Sequence, residues 1–352
     1  MMAHVANGSQ RRDPPGPDPR DLYGDIRSSG SSNARAGEPR TLGAVGESNA
    51  LGPLGEPGAL GPVGESGAPG GTDYRARPIG VFDSGVGGLT VLHELLVALP
   101  QEDFIYLGDT ARFPYGERTA DELAGFSAEM AEELLRRRAK LLVVACNAAT
   151  SAALPALRRR MMETTLGVDV LGVVRPEALR AVAATRTGRI GLLATPTTVA
   201  SGAYEQAVAA IDQHVTLHAV PCPGLAAIIQ AGEQFDERAV QSVREACAPL
   251  KDADVDTVIL GCTHYPLIRL MLQRVLGPSV TLVSSGAALA RQVEHALSAR
   301  GLRNARPASE EGDYSFLCTG DAETFRELGT RFLQMPLGEV EQVQLAAAEA
   351  VL

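Results

Sequence analysis

Lys140 to Ser151 read KLLVVACNAATS, four consecutive apolar residues that run into a thiol and then into small polar side chains. An apolar run without period-2 alternation marks a strand covered by helices on both faces, and in such sheets chemistry sits past the strands' carboxyl ends. Cys146 occupies that position. The construction recurs downstream as DTVILGCTHYP, where Thr257 to Leu260 make the apolar run and Cys262 follows after one glycine. Two strands delivering two thiols suggest two similar α/β halves that face each other across a cleft.

The chain around this pair alternates regularly. Ile79 to Phe82 read as a strand, DSGVGGLT as a glycine-rich turn, and VLHELLVAL as a helix that ends before Pro100. Glycines at 85, 87 and 88 allow a tight turn, and the backbone N–H groups at the following helix start predict a nest for a carboxylate. Phe104 to Leu107 form the next strand. Leu123, Phe126, Met130 and Leu134 recur at helical spacing, which predicts a helix over Ala120 to Arg138. After Cys146 the pattern predicts a helix from Ala152 to Met162, a strand VDVLGVV, and a helix from Pro176 to Thr185. RIGLLA, one helix from Thr197 to Ile211, VTLHAV and two helices flanking Gly232 come next. Cys247 shares a helix face with Val240, Val243 and Leu250 and so belongs to the core. Past Cys262 the pattern gives helices Leu267 to Leu276, Ala287 to Arg300 and Ala322 to Phe332, interleaved with strands VTLV and SFLCT. The expected fold class is α/β, with two pseudo-symmetric α/β/α domains, mainly parallel sheets and the active site in the cleft between them. The boundaries expected are 77–175 with 284–352 for the domain carrying Asp83 and Cys146, and 176–283 for the one carrying Cys262 and His264.

Residues 1–76 have a different texture, dominated by Gly, Pro, Ser, Arg and Asp, with too few apolar side chains to offset the entropy of ordering. This segment reads as a disordered tail. Within it a nine-residue tandem repeat (42–50, 51–59, 60–68) places glycine at every third position, interrupted at Asn49, a register resembling collagen but short enough to read as a flexible linker.

A net charge of −10, from 32 basic and 42 acidic residues, argues against a surface built for nucleic-acid phosphates. Five cysteines without a CxxC pair fit a reducing compartment, and no apolar stretch is long enough to span a membrane. The expectation is a cytoplasmic protein acting on a small molecule, with no nucleic-acid or membrane partner; a homodimer is among the assemblies this allows.

Free cysteines are most often small buried hydrophobes, and that reading stands beside three functional ones. Cys262 with His264 could begin a zinc site, but the i, i+2 pair lacks the usual partner motif. A nucleophilic thiol enzyme needs one cysteine and not a matched pair. The third reading uses both thiols on opposite faces of a substrate carbon, one removing a proton while the other donates one, so that configuration inverts. Pyridoxal phosphate could perform this instead through a Schiff-base lysine, but the only lysines, Lys140 and Lys251, lie outside any glycine-rich phosphate context. A cofactor-free and metal-free mechanism is therefore expected. Asp83 at the end of the first strand and His264 beside Cys262 are placed to polarise a thiol or take a proton. Asp83 is no phosphatase DxD turn, because position 85 is glycine.

IGVFDSGVGGLTV, YLGDT with PYG, VVACN, GCTHYPL and VSSG, in that order between about Pro78 and Val343, resemble the glutamate racemases of the aspartate/glutamate racemase superfamily. The resemblance implies cofactor-independent interconversion of L- and D-glutamate that supplies D-glutamate for peptidoglycan. It implies that Cys146 is the base acting on D-glutamate and Cys262 the base acting on L-glutamate, with Asp83 and His264 assisting. Asp83, Ser84, Tyr115, Gly116, Asn147, Thr263 and His264 match substrate-contacting positions, and Asp109 matches an acidic position that could equally cap a loop.

Two positions depart from the pattern. Ala148 stands where such racemases carry Thr or Ser near the substrate carboxylate, so a hydroxyl is missing although its backbone N–H remains. Gln230 stands where they carry a glutamate that assists the histidine. These departures keep open a racemase of the same superfamily acting on another acidic amino acid. A non-catalytic binding protein is the other alternative, but it has no reason to keep both thiols.

Overall fold

The computed structural model of the chain describes residues 73–164, 167–232 and 236–346, all within one compact unit. The collagen-like repeat and the rest of residues 1–72 lie outside the described residues.

In chain order the strands are β1 (Ile79–Asp83), β2 (Phe104–Gly108), β3 (Leu141–Val144), β4 (Asp169–Gly172) and β5 (Arg189–Ala194). They continue as β6 (Thr216–Pro221), β7 (Thr257–Gly261), β8 (Thr281–Val283), β9 (Tyr314–Cys318) and β10 (Val340–Gln342). The helices are α1 (Leu89–Ala98), α2 (Ala120–Arg136), α3 (Asn147–Thr164), α4 (Val174–Ala184), α5 (Pro196–Ala200) and α6 (Ala203–Ile211). After these come α7 (Leu225–Ala231), α8 (Glu237–Asp252), α9 (Arg269–Leu276), α10 (Gly286–Ala299) and α11 (Ala322–Leu333).

The strands form two sheets, ordered β10-β9-β2-β1-β3-β4 and β6-β5-β7-β8, and every pairing is parallel. The run β2-β1-β3-β4 in the first sheet is repeated as β6-β5-β7-β8 in the second. Cys146 follows β3 and Cys262 follows β7, so the two thiols emerge from equivalent strands of a duplicated plan. The unalternating strand sequences have the expected cause: β1, β3 and β7 are buried at every residue. Along β1, Ile79 and Val81 join a core that includes α1, α10 and α11, whereas Phe82 points to the opposite face and packs with α2 and α3.

Four details differ from expectation. Helix α3 begins at Asn147, immediately after Cys146, and not at Ala152. The helix expected over 197–211 is two, because Gly202 takes a left-handed φ of 65° and interrupts it. The strand in VDVLGVV stops at Gly172 because Val174 already begins α4. The short edge strand β10 has no alternating or apolar run to announce it, since Glu341 and Gln342 are exposed.

Candidate active site

Parallel topology brings the carboxyl ends of β1, β3, β5, β6 and β7 to one cavity. Its wall includes Ser84, Tyr115 and Gly116, Cys146, Asn147 and Ala148, and Cys262, Thr263 and His264. Asp83, though expected at the same place, lies beneath this wall and is fully buried. Its Oδ2 accepts hydrogen bonds from the backbone N–H groups of Gly85 at 3.1 Å and Gly88 at 3.0 Å. The nest expected for a ligand carboxylate is thus filled by the chain's own aspartate. Gly88 is required there, since a Cβ on it would stand 2.5 Å from the Asp83 Cβ and 2.8 Å from the Tyr106 hydroxyl.

Cys146 stands at the start of α3 and collects donors: the Ala149 N–H, and the hydroxyl and N–H of Ser84. Burial nevertheless pushes its thiol up to about 12, and the nearby Asp83 charge pushes the same way. Burial also raises the Asp83 carboxyl, against the hydrogen bonds from Gly88, Gly85 and Ser84 and from the Cys146 thiol. Cys262 is held well above the ordinary thiol range, again by burial, with the His264 N–H as the main opposing contact.

His264 packs between Phe113, ring centroids 5.4 Å apart, and Phe332 at 5.2 Å. That enclosure pushes its imidazole down to about 3, so it is neutral at ordinary pH. Its Nδ1 stands 3.8 Å from the Cys262 sulfur and 3.4 Å from the Thr263 hydroxyl, and its Nε2 is 3.0 Å from Gln230 Oε1. Both thiols therefore rest protonated, each beside a group able to take its proton: Asp83 for Cys146, His264 for Cys262. A matched acid and base are present in two copies. Among the described residues, no group of three or more His, Cys, Asp or Glu side chains is placed to hold a metal ion.

The two sheets meet tightly around this cavity. Thr90 Oγ1 donates to Gly87 O and to Thr263 O, and Thr263 Oγ1 reaches Asp83 Oδ1 at 3.4 Å. A Cβ at Gly87 would lie 2.4 Å from Thr263 Oγ1 and 2.5 Å from the His264 ring, so this crossing tolerates only glycine. On another side, Thr197 Oγ1 lies 3.0 Å from Gly116 O and 2.8 Å from Arg118 O.

Asp109 is a loop organiser and not a wall residue. Its carboxylate accepts from Arg112 Nε at 2.6 Å, from Thr319 Oγ1 at 2.7 Å and from the Tyr115 hydroxyl, which fixes the Tyr115-Gly116 loop against the cavity. Lys140, at the amino end of β3, is tied to Glu102 in a buried pair at 2.5 Å and to Arg75 O. Thr195, Cys222 and Phe113 also line the cavity and were not singled out by sequence. For Cys222 a signal existed, since it follows β6 as the other two thiols follow β3 and β7.

Behind Asn147 lies a buried polar cluster that sequence reasoning missed entirely. Glu177 on α4 is fully buried, which pushes its carboxyl up to about 8, with hydrogen bonds from Tyr204, Ser285 and Asn147 opposing.

Residues 81–293 match the family model described as Asp/Glu/hydantoin racemase. The glutamate racemase of Geobacter metallireducens is 44% identical over 271 residues, covering 77% of this chain and 98% of its own. Among solved structures, a glutamate racemase isoform of Bacillus anthracis superposes with a TM-score of 0.72 at 37% identity, covering 77% of this chain and 98% of its own. The Francisella tularensis glutamate racemase, solved in complex with D-glutamate, gives a TM-score of 0.70 at 29% identity, with 77% and 98% covered.

Proposed function

The chain belongs to the Asp/Glu/hydantoin racemase family and is an amino-acid isomerase that racemises glutamate, and from that premise we propose a cofactor-independent, two-base mechanism on Cys146 and Cys262. The observation that carries the proposal is the placement of two buried thiols, at equivalent ends of β3 and β7, on one cavity. A single base would have to reach both faces of Cα; opposed thiols let one face lose a proton while the other gains one.

In the direction from D-glutamate, Cys146 passes its proton toward Asp83 and, as thiolate, removes the Cα proton. The Cys262 thiol then protonates the carbanionic carbon from the opposite face. From L-glutamate the roles exchange, with His264 Nδ1 taking the Cys262 proton. Ionising either thiol is costly at rest, and the Ala149, Ser84 and His264 N–H groups lower that cost by donating to the developing thiolate. Ser84, Tyr115, Gly116, Asn147, Ala148 and Thr263 form the wall that binds and orients the substrate. We further propose two domains, 77–175 with 284–352 and 176–283, a reading supported by the division of the strands between two sheets. D-Glutamate made here serves peptidoglycan synthesis in the cytoplasm. A homodimer belongs to this reading as well.

The test is racemisation in deuterium oxide starting from L-glutamate. The two-base scheme expects deuterium at Cα of the D-glutamate formed while unreacted L-glutamate stays unlabelled at early times. Equal labelling of both enantiomers would replace it with a single-base scheme. Cys146→Ser and Cys262→Ser should each reduce kcat/KM equally in both directions, because the enantiomers have equal free energy, while their isotope effects differ by direction.

A further inference from the structure

Four helices bring first-turn or capping residues to one buried carboxyl group. Asn147 opens α3, Glu177 lies in the first turn of α4, Tyr204 in that of α6, and Ser285 precedes α10. Glu177 Oε2 accepts from the Tyr204 hydroxyl and from Asn147 Nδ2, the latter at 3.1 Å, and the Ser285 side chain also bonds this carboxyl. Asn147 Nδ2 makes a second bond, to the Tyr204 oxygen at 2.6 Å. Asn147 Oδ1 and Glu177 Oε1 are buried and have no hydrogen-bond partner among the described residues.

This pattern decides which way round the Asn147 amide sits. A tyrosine hydroxyl both donates and accepts, so Tyr204 alone would tolerate either end of the amide. A carboxyl oxygen that already accepts from Tyr204 requires the NH₂ end. With both Nδ2 hydrogens spent, the amide's remaining capacity is Oδ1, on a residue that lines the cavity next to Cys146.

We propose that Glu177 is a positioning residue for the reaction: it locks the Asn147 amide so that Oδ1 accepts a hydrogen bond from the ammonium group of the amino-acid substrate. The inference rests on the racemase reading above. Glu177 itself does not line the cavity and acts only through Asn147. Among the described residues no ionic partner contributes to its environment; the neighbours that bond it are Asn147 on α3, Tyr204 on α6 and Ser285 before α10, of which Tyr204 alone titrates.

The test is a kinetic cycle on the full-length chain. Glu177→Leu frees the amide to turn and should raise KM for glutamate about tenfold, with kcat changed less than about threefold. Glu177→Gln keeps an acceptor oxygen for Asn147 Nδ2 and should stay within about threefold of wild type. In an Asn147→Ala background, Glu177→Leu should add nothing to KM, since the group it acts through is gone. A folded Glu177→Leu protein with unchanged KM, or one whose effect multiplies unchanged in the Asn147→Ala background, overturns the proposal. If Glu177→Leu does not fold, Glu177→Gln still decides, because a tenfold KM rise there rejects the acceptor role. A wild-type protein unable to interconvert the glutamates overturns the racemase reading instead.

Discussion

Nε2 of His264 lies 3.0 Å from Oε1 of Gln230, and this contact selects the tautomer of the imidazole beside Cys262. With the Gln230 oxygen assigned as acceptor, Nε2 carries the hydrogen and Nδ1 turns a lone pair toward the Cys262 thiol. Gln230→Glu would place a carboxylate at this contact and favour imidazolium, whose charge in turn favours the Cys262 thiolate. The limb of kcat/KM governed by thiol ionisation should move about 1–3 pH units lower, equally from either enantiomer. Profiles from pH 5 to 10 that superimpose on wild type would show that the imidazole does not sense this residue.

Ala148 brings a methyl group and no hydroxyl to the wall. The neighbouring hydroxyls do not supply one, because Thr150 Oγ1 is engaged by Val144 O at 3.1 Å and Ser151 Oγ by Asn147 O at 2.8 Å. Ala148→Thr should therefore lower KM for glutamate about tenfold or more, the worth of a charge-assisted bond of about 1.5–3 kcal/mol. A raised KM would mean that the added methyl and hydroxyl crowd the cavity.

Neutral His264 ties stability to pH. Its folded value of about 3 lies below the unfolded one of 6.5, so the folded state binds fewer protons between them. Its contribution is fully present above pH 6.5 and is lost as pH falls toward 3, in total on the order of 5 kcal/mol. Urea midpoints measured at pH 4 and 7 should differ more in wild type than in His264→Gln, and the comparison removes the carboxyl groups common to both. Equal differences would mean that His264 protonates in the folded protein.

Gly88→Ala drives a methyl group into the Asp83 side chain and the Tyr106 hydroxyl at once. Overpacking of a closed site of this kind costs about 1–3 kcal/mol, and here it also displaces the carboxyl beside Cys146. Thermal unfolding should shift down, with kcat lost in the fraction that remains folded. A variant that kept wild-type kcat would show that Asp83 does not need its present position.

The thiols were legible because burial on both faces erases strand alternation, and a cysteine after such a run can be placed at a sheet edge from sequence alone. The equivalence of β3 and β7 was legible for the same reason. Asp83 was placed correctly on its strand, but its role as the occupant of its own glycine turn was not, since spacing cannot say whose carboxylate fills a nest. Glu177 and Tyr204 meet Asn147 through tertiary packing of α3, α4 and α6, and sequence separation conceals that meeting. Gly202 shows the local limit: a single left-handed residue divides a helix whose apolar pattern runs through unbroken.

The contacts of Thr90 and Thr197 differ in mechanical kind. Around Gly87 the sheets meet backbone against side chain with no slack, which makes that edge a pivot. Thr197 is a latch: one hydroxyl hydrogen serves two carbonyls, a bond worth about 0.5–1.5 kcal/mol net. Taken alone, it would hold shut only about nine molecules in ten at the upper end of that range. Losing the Thr197 bonds would leave the contacts of Thr90 with Thr263 and of Thr263 with Asp83 in place, because the two sets share no residue.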